Sequence, residues 1–212
     1  MSQSPFSELV TPHWEAFKAC ILRQGTPARV HLIELFLDGE IQQAICERFG
    51  VVDHLDPDDP HFDLRRQVAL QRFLGYDYVR QGVEGLDMPL NRCDTDDAAP
   101  ALTRRNGRSF MEEHKGPITN WEEFEAYPWP DPRQCTTRAL EWYEENLPDD
   151  MCVIGSGGFA HFAEYLTWLM GYETLCYALY DQRELVEAIS RRLLEIYEVV
   201  IRRILRFDRV KI

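Results

Sequence analysis

The chain has 212 residues, 45% of them apolar, and a formal charge of −13. That is enough for one sizeable core, and the charge argues against a nucleic-acid backbone or an anionic membrane surface as the main partner. No run of about 18 or more uncharged apolar residues occurs, and the opening MSQSPFSEL lacks the basic and apolar regions of a signal peptide, so a cytoplasmic protein acting on a small molecule is expected.

In chain order, WEAFKACILRQ carries Trp14, Phe17, Cys20, Ile21 and Gln24 at helical spacing and is stopped by Gly25-Thr26-Pro27. ARVHLIELFL, apolar on both faces, reads as a strand inside a covered parallel sheet. After Asp38, residues Ile41, Ala44, Ile45 and Phe49 mark one face of a helix that Gly50 ends. HFDLRRQVALQRFLG predicts a further helix closed by Gly75, and YDYVRQGVEG a second strand. A loop follows, then TRRNGRSFM, whose Asn106-Gly107 signals a β-hairpin outside the main sheet.

Asn120 with Glu123 predicts a capping box for a short helix, and Pro128, Pro130 and Pro132 a stiff connector behind it. A helix over residues 138–146 leads to MCVIGSGG, a buried strand entering a glycine-rich turn. Residues 159–180 read as one largely apolar helix. A second capping box, Asp181 to Glu184, opens a long helix running to Phe207, and VKI begins another strand. The six cysteines, Cys20, Cys46, Cys93, Cys135, Cys152 and Cys176, are scattered singly with no C-x-x-C pair, and read as buried thiols.

The stretch VIGSGGFAHFAEYLTWLMGYETLCYALYDQRELVEAI, the connector ITNWEEFEAYPWPDP and the opening RVHLIELFLDGEI resemble the uroporphyrinogen decarboxylase family. That superfamily of (β/α)8 barrels also holds cobalamin- and coenzyme M-linked methyltransferases. The resemblance implies an α/β fold, a TIM barrel of uroporphyrinogen decarboxylase type of which residues 1–212 form a single domain covering about the first half. A long outer helical layer and an inserted β-hairpin go with it, and the domain is expected to be truncated at its C-terminus.

In that family the first strand ends in Arg-Gln-Ala-Gly-Arg, whose arginines hold substrate carboxylates. Ungapped counting places those positions on Glu34 and Asp38, so both charges are inverted and a polyanionic tetrapyrrole would be repelled. The family's catalytic aspartate corresponds to Glu84, seven residues after Asp77, and its tyrosine most nearly to Tyr165. The zinc of the methyltransferase branch is bound by one histidine and two cysteines in the second half of the barrel, and no His-x-Cys occurs in this chain.

The residues carry their own arguments. Glu34 shares strand phase with Val30, Leu32 and Phe36, so it is expected to point inward with them near the active-site end of a stave; its plain alternative is an ion pair with a neighbour such as Arg80. Asp38 stands where an N-cap belongs but can also contact ligand. His31, on the other phase, is expected to be a satisfied core or interface histidine. Glu84, between two glycines, is equally a turn residue or a ligand contact. Gly157 and Gly158 are read as room for substrate, with His161 and Tyr165 four apart on one face of the next helix.

The expected activity is therefore a superfamily enzyme nearer to corrinoid-linked methyl transfer than to decarboxylation. Glu34, Glu84 and Tyr165 are the candidate catalytic residues, and Asp38, His161, Gly157 and Gly158 are expected to bind substrate on a shared rim. No cofactor is shown by the chain itself; a corrinoid or zinc would come through residues beyond Ile212. Partners are a small-molecule substrate and either a second copy or a missing C-terminal half, with no nucleic acid or membrane. The alternatives are uroporphyrinogen decarboxylation, a glycoside-active barrel using Glu34 and Glu84 as paired acids, and a non-catalytic fragment.

Overall fold

The computed structural model describes residues 10–34, 37–95, 108–156 and 161–212. The fold is mixed α/β and mostly helical. Its strands form two small sheets of two strands each, one parallel and one antiparallel. The chain divides into two compact units, one of residues 1–82, 137–156 and 204–212, the other of residues 83–136 and 157–203.

The first unit opens with α1 (Trp14–Ile21), where His13 Nδ1 accepts the Ala16 amide as a cap. α2 (Gly39–Phe49) ends at Gly50 in the left-handed region, and α3 (Phe62–Phe73) is followed by Gly75 at φ +81°. Both glycines stop helices where the sequence predicts it, because only glycine takes this conformation without a steric cost.

β1 (Tyr78–Gln81) pairs in parallel with β4 (Cys152–Gly155), in the register Tyr78 with Cys152 through Gln81 with Gly155. α5 (Arg138–Asn146) lies between them in sequence. The VKI segment runs beside the other edge of β4. Val153 donates to Arg209 O at 2.8 Å, Lys211 donates to Val153 O at 3.1 Å and Gly155 to Ile212 O at 2.8 Å, so the strand expected there is begun. Glu144 on α5 accepts the amides of Asp208 and Arg209 at 3.1 and 2.9 Å and fixes where that segment starts.

Two apolar clusters make the core of this unit. One joins Phe17, Tyr78 and Cys152, the other Cys46, Val51 and Leu70. Between them the Tyr143 hydroxyl donates to Gln67 Oε1 at 2.8 Å, and Gln67 Nε2 donates to Arg80 O at 3.3 Å, so α5, α3 and β1 are tied by a satisfied polar chain.

In the second unit β2 (Arg92–Thr95) and β3 (Arg108–Met111) pair antiparallel outside the parallel sheet, as expected of an excursion there, but Thr95 faces Arg108, so β2 lies in the stretch the sequence reads as loop; Asn106-Gly107 lies outside the described residues. α4 (Trp121–Ala126) is capped by Asn120, which accepts the Glu123 amide at 2.9 Å. The return bond is shifted by one residue from the expected box: Glu123 takes the Thr119 amide and hydroxyl at 2.6 and 2.7 Å. The proline connector behind α4 is held by Arg203, whose guanidinium donates to Cys135 O at 2.6 Å and to Pro132 O.

The single helix expected over 159–180 is two, α6 (Phe162–Met170) and α7 (Tyr172–Asp181), broken at Gly171 with φ +80°. A Cβ at Gly171 would lie 2.7 Å from His114 O, and one at Gly116 would lie 2.2 Å from Leu169 O. Two backbones cross here closer than any side chain permits, and the Ile118 amide donates to Leu169 O at 2.9 Å across the crossing. α8 covers Arg183–Ile204. Asp181 is the last residue of α7, not the residue before α8 as the second capping box requires, and the Leu185 and Val186 amides donate to Gln182 O at 3.0 and 3.3 Å.

Two further expectations change. Residues 30–34 form no strand, and Val30, Leu32 and Ile33 are exposed, at 80%, 47% and 69%. Without a paired neighbour the two-sided apolar pattern has no sheet to be buried in. Of the expected half barrel, the described residues show parallel pairing of β1, β4 and the segment beside Val153, and no barrel is seen among them. No described helix is long and apolar enough to cross a membrane.

Candidate functional site

In the first unit the segment carrying Glu34 is fastened to β1 by one side chain. The Glu34 amide donates to the Tyr78 hydroxyl at 2.9 Å. The phenol is pushed up by burial, an effect that the backbone bond from Glu34 and the nearby charge of Arg80 oppose. Glu34 itself is exposed, not buried with Val30 and Leu32 as expected, because those residues are exposed too. Asp38 is the N-cap residue of α2 by position and its carbonyl accepts the Gln42 amide, but its side chain makes no capping bond to the first turn. Its carboxylate is exposed at the start of that helix.

The most heavily engaged acid of this unit is Asp77, which is fully buried. Its Oδ1 accepts the His13 amide at 2.7 Å and the Arg29 guanidinium, and its Oδ2 faces His31 Nδ1 at 2.7 Å. The His31 ring packs against Phe17 at 5.6 Å between centroids, and its side chain is 3% exposed. A carboxylate facing a guanidinium acts as acceptor only, so Nδ1 carries the hydrogen, which leaves Nε2 buried with no partner. The core role expected for His31 is therefore met through Nδ1 alone.

A histidine oriented by an aspartate is also a catalytic arrangement. Here the pair sits beside the N-terminal end of β1, with Asp77 directly before the strand. Asp77 entered the sequence reading only as a counting point. The arginine and histidine two residues apart in ARVH are the signal that could have marked it as their partner.

In the second unit Glu84 is half-buried and its backbone forms a two-bond bridge with Thr136, at 3.0 and 2.9 Å. Gly85 at φ +83° turns the chain directly after it. This bridge ties the main chain at Glu84 to Thr136.

Tyr165 on α6 stands in an aromatic cluster, 4.9 Å from the Trp168 ring and 6.3 Å from the Tyr197 ring between centroids. His161, the N-cap residue of α6, stacks on Trp168 at 6.3 Å with Nδ1 against the Glu164 carboxylate. The structure thus brings His161 and Tyr165 together around one indole. Burial pushes the Tyr165 phenol up, with Arg92 lowering it and Asp87 raising it.

The Tyr127 and Tyr197 phenols are pushed far up, first by burial and then by Tyr165. Tyr127 donates to Pro89 O at 2.8 Å, whereas the Tyr197 hydroxyl is buried with no partner. Raised in this way, the three phenols stay protonated near neutral pH and are available as hydrogen-bond donors, not as bases. Sequence reasoning took Tyr197 as plain core of a long helix; nothing in its spacing separates it from its apolar neighbours.

Gly157 and Gly158, expected to make room for a substrate, lie outside the described residues. Glu34 and Asp38 belong to the first unit, Glu84, His161 and Tyr165 to the second. Among the described residues no group of three or more His, Cys, Asp or Glu side chains is placed to hold a metal ion. Comparison with known proteins finds no matching family model, no matching curated protein and no matching solved structure.

Proposed function

We propose that the chain is the N-terminal portion of a (β/α)8-barrel enzyme of uroporphyrinogen decarboxylase type, acting on a small molecule by chemistry closer to corrinoid-linked methyl transfer than to tetrapyrrole decarboxylation. The observation that carries the reading is strand order. β1, β4 and residues 209–212 lie side by side, parallel and in the order in which they occur along the chain, with helices between them in sequence. Successive staves of an α/β barrel follow that rule.

The choice of chemistry rests on charge. Carboxylates at Glu34 and Asp38 stand where the family resemblance puts guanidinium groups, and both are exposed to whatever approaches. Two anions there disfavour a substrate that is itself a polycarboxylate. On the second unit Glu84 orients or takes up a proton, Tyr165 donates a hydrogen bond from a phenol kept neutral, and His161 is a polar neighbour on the same indole. A corrinoid, when bound, would supply the methyl carrier.

The test uses the polypeptide from the complete reading frame. Methylcobalamin with a thiol acceptor is expected to be demethylated, followed by its change in visible absorbance, while uroporphyrinogen is left intact. Glu84→Gln is expected to lower turnover by about tenfold or more. Consumption of uroporphyrinogen with methylcobalamin untouched would overturn the assignment.

A further inference from the structure

The second unit carries a groove that none of these residues uses. It runs between β3 and the α6–α7 corner, encloses about 440 Å³, and is lined by Phe110, Met111, Glu112, Glu113, Trp168 and Tyr172. Three aromatic rings and a thioether line a space whose only charged side chains are two carboxylates. Phe110 and Tyr172 are 52% and 62% exposed. Large aromatic faces left open to water are costly unless something covers them, and their π faces attract cations.

The charge of the groove is fixed as well as present. Glu112 accepts the Cys93 thiol at 2.9 Å through Oε2 and the His114 amide at 3.0 Å through Oε1. Both donors are neutral groups, so they hold the carboxylate in place and lower its pKa without cancelling its charge. The β2–β3 pairing, which sets Cys93 opposite Phe110, positions the Cys93 thiol that reaches Glu112 and the ring that lines the groove on the same pair of strands. At the α7 end, Tyr172 is held at the start of the helix by the close backbone crossing at Gly171. The groove is therefore built from elements whose spacing is set by backbone contacts.

We propose that this groove binds a small organic cation, an alkylated ammonium group seated against the faces of Phe110, Trp168 and Tyr172 with Glu112 and Glu113 balancing its charge. A methylated ammonium fits this chemistry better than a bare ammonium ion or a metal ion. Its charge is spread over apolar methyl groups, it sheds water at little cost, and it suits aromatic faces that offer no lone pairs. An anion is excluded by the two carboxylates, and a neutral apolar ligand would leave them desolvated without compensation. The assignment uses none of the residues given catalytic roles above, although Trp168 also packs against His161 and Tyr165, and binding of a cation is read out without reference to turnover.

The test is calorimetric titration of the full chain with tetramethylammonium and with choline, against 3,3-dimethylbutan-1-ol, the uncharged isostere of choline. Both cations are expected to bind one site, and the isostere about tenfold or more weaker. Tyr172→Leu, at an exposed position that leaves the fold intact, is expected to weaken choline binding by about tenfold, and Glu113→Gln by a few-fold. Tyr180→Leu is the control, since Tyr180 is 90% exposed on the same helix and does not line the groove; it is expected to change nothing. Equal binding of the isostere, equal losses from Tyr172→Leu and Tyr180→Leu, or no binding of either cation at millimolar concentration would overturn the proposal.

Discussion

Replacing Asp77 by Asn tests the most densely bonded group of the first unit. The carboxylate is fully buried and takes three donors: the His13 amide at 2.7 Å, His31 Nδ1 at 2.7 Å and the Arg29 guanidinium. Asn keeps one acceptor oxygen, which can hold the His13 amide and face Arg29 without the opposing charge, and turns an NH2 group toward His31 Nδ1. The bond lost at His31 joins a charged acceptor to a side chain 3% exposed, worth about 1.5–3 kcal/mol. Arg29 is 27% exposed and regains water, so its share is discounted to about 1 kcal/mol. The expected loss is about 3 kcal/mol, a large fraction of the stability of an ordinary domain. Denaturant unfolding followed by tryptophan fluorescence measures it, and Asp77→Ala, which leaves all three donors without a side-chain acceptor, should lose more. A loss of less than about 1 kcal/mol for Asn would refute the reasoning, because the buried donors would then have found other partners.

Three more outcomes follow. Gly171→Ala should cost about 2 kcal/mol or more, through positive φ and a Cβ placed 2.7 Å from His114 O, and should lower the melting temperature measured by circular dichroism. Tyr197→Phe should leave stability unchanged or raise it by up to about 1 kcal/mol in chemical denaturation, because it removes a buried hydroxyl that has no partner. In thiol labelling just above neutral pH, exposed Cys176 should react first. Cys152, pushed up to about 12 by burial and next by Asp77, should react only on unfolding, since thiolate forms as pH rises toward the pKa and is nearly absent well below it. Mass spectrometry of the labelled peptides checks the order.

The parts of the fold legible in the sequence are those set by local chemistry. Gly50 and Gly75 stop helices and Asn120 caps one, because each depends on a few neighbouring residues. What was not legible depends on distant ones. Gly171 sits inside an unbroken apolar pattern, and its break is imposed by residues 114–116 crossing it. Asp181 has the right neighbours for a cap, yet α7 claims it. The apolar run from Val30 reads as a core strand because periodicity registers hydrophobicity and not whether a neighbouring strand exists to cover it.

The same division holds for the candidate site. Tyr165 and His161, four apart on one helix, meet around Trp168 as their spacing suggests. The burial of Asp77 and the unpartnered Tyr197 hydroxyl arise from packing between segments far apart in the chain, which no local pattern encodes.

The reading of this chain as consecutive staves of a barrel is tested most directly by a crystal structure of the polypeptide from the complete reading frame. The account predicts one closed parallel cylinder in which residues 78–81, 152–155 and 209–212 are adjacent strands in that order. A sheet that stays open, or a strand from elsewhere inserted between Val153 and Val210, would contradict it.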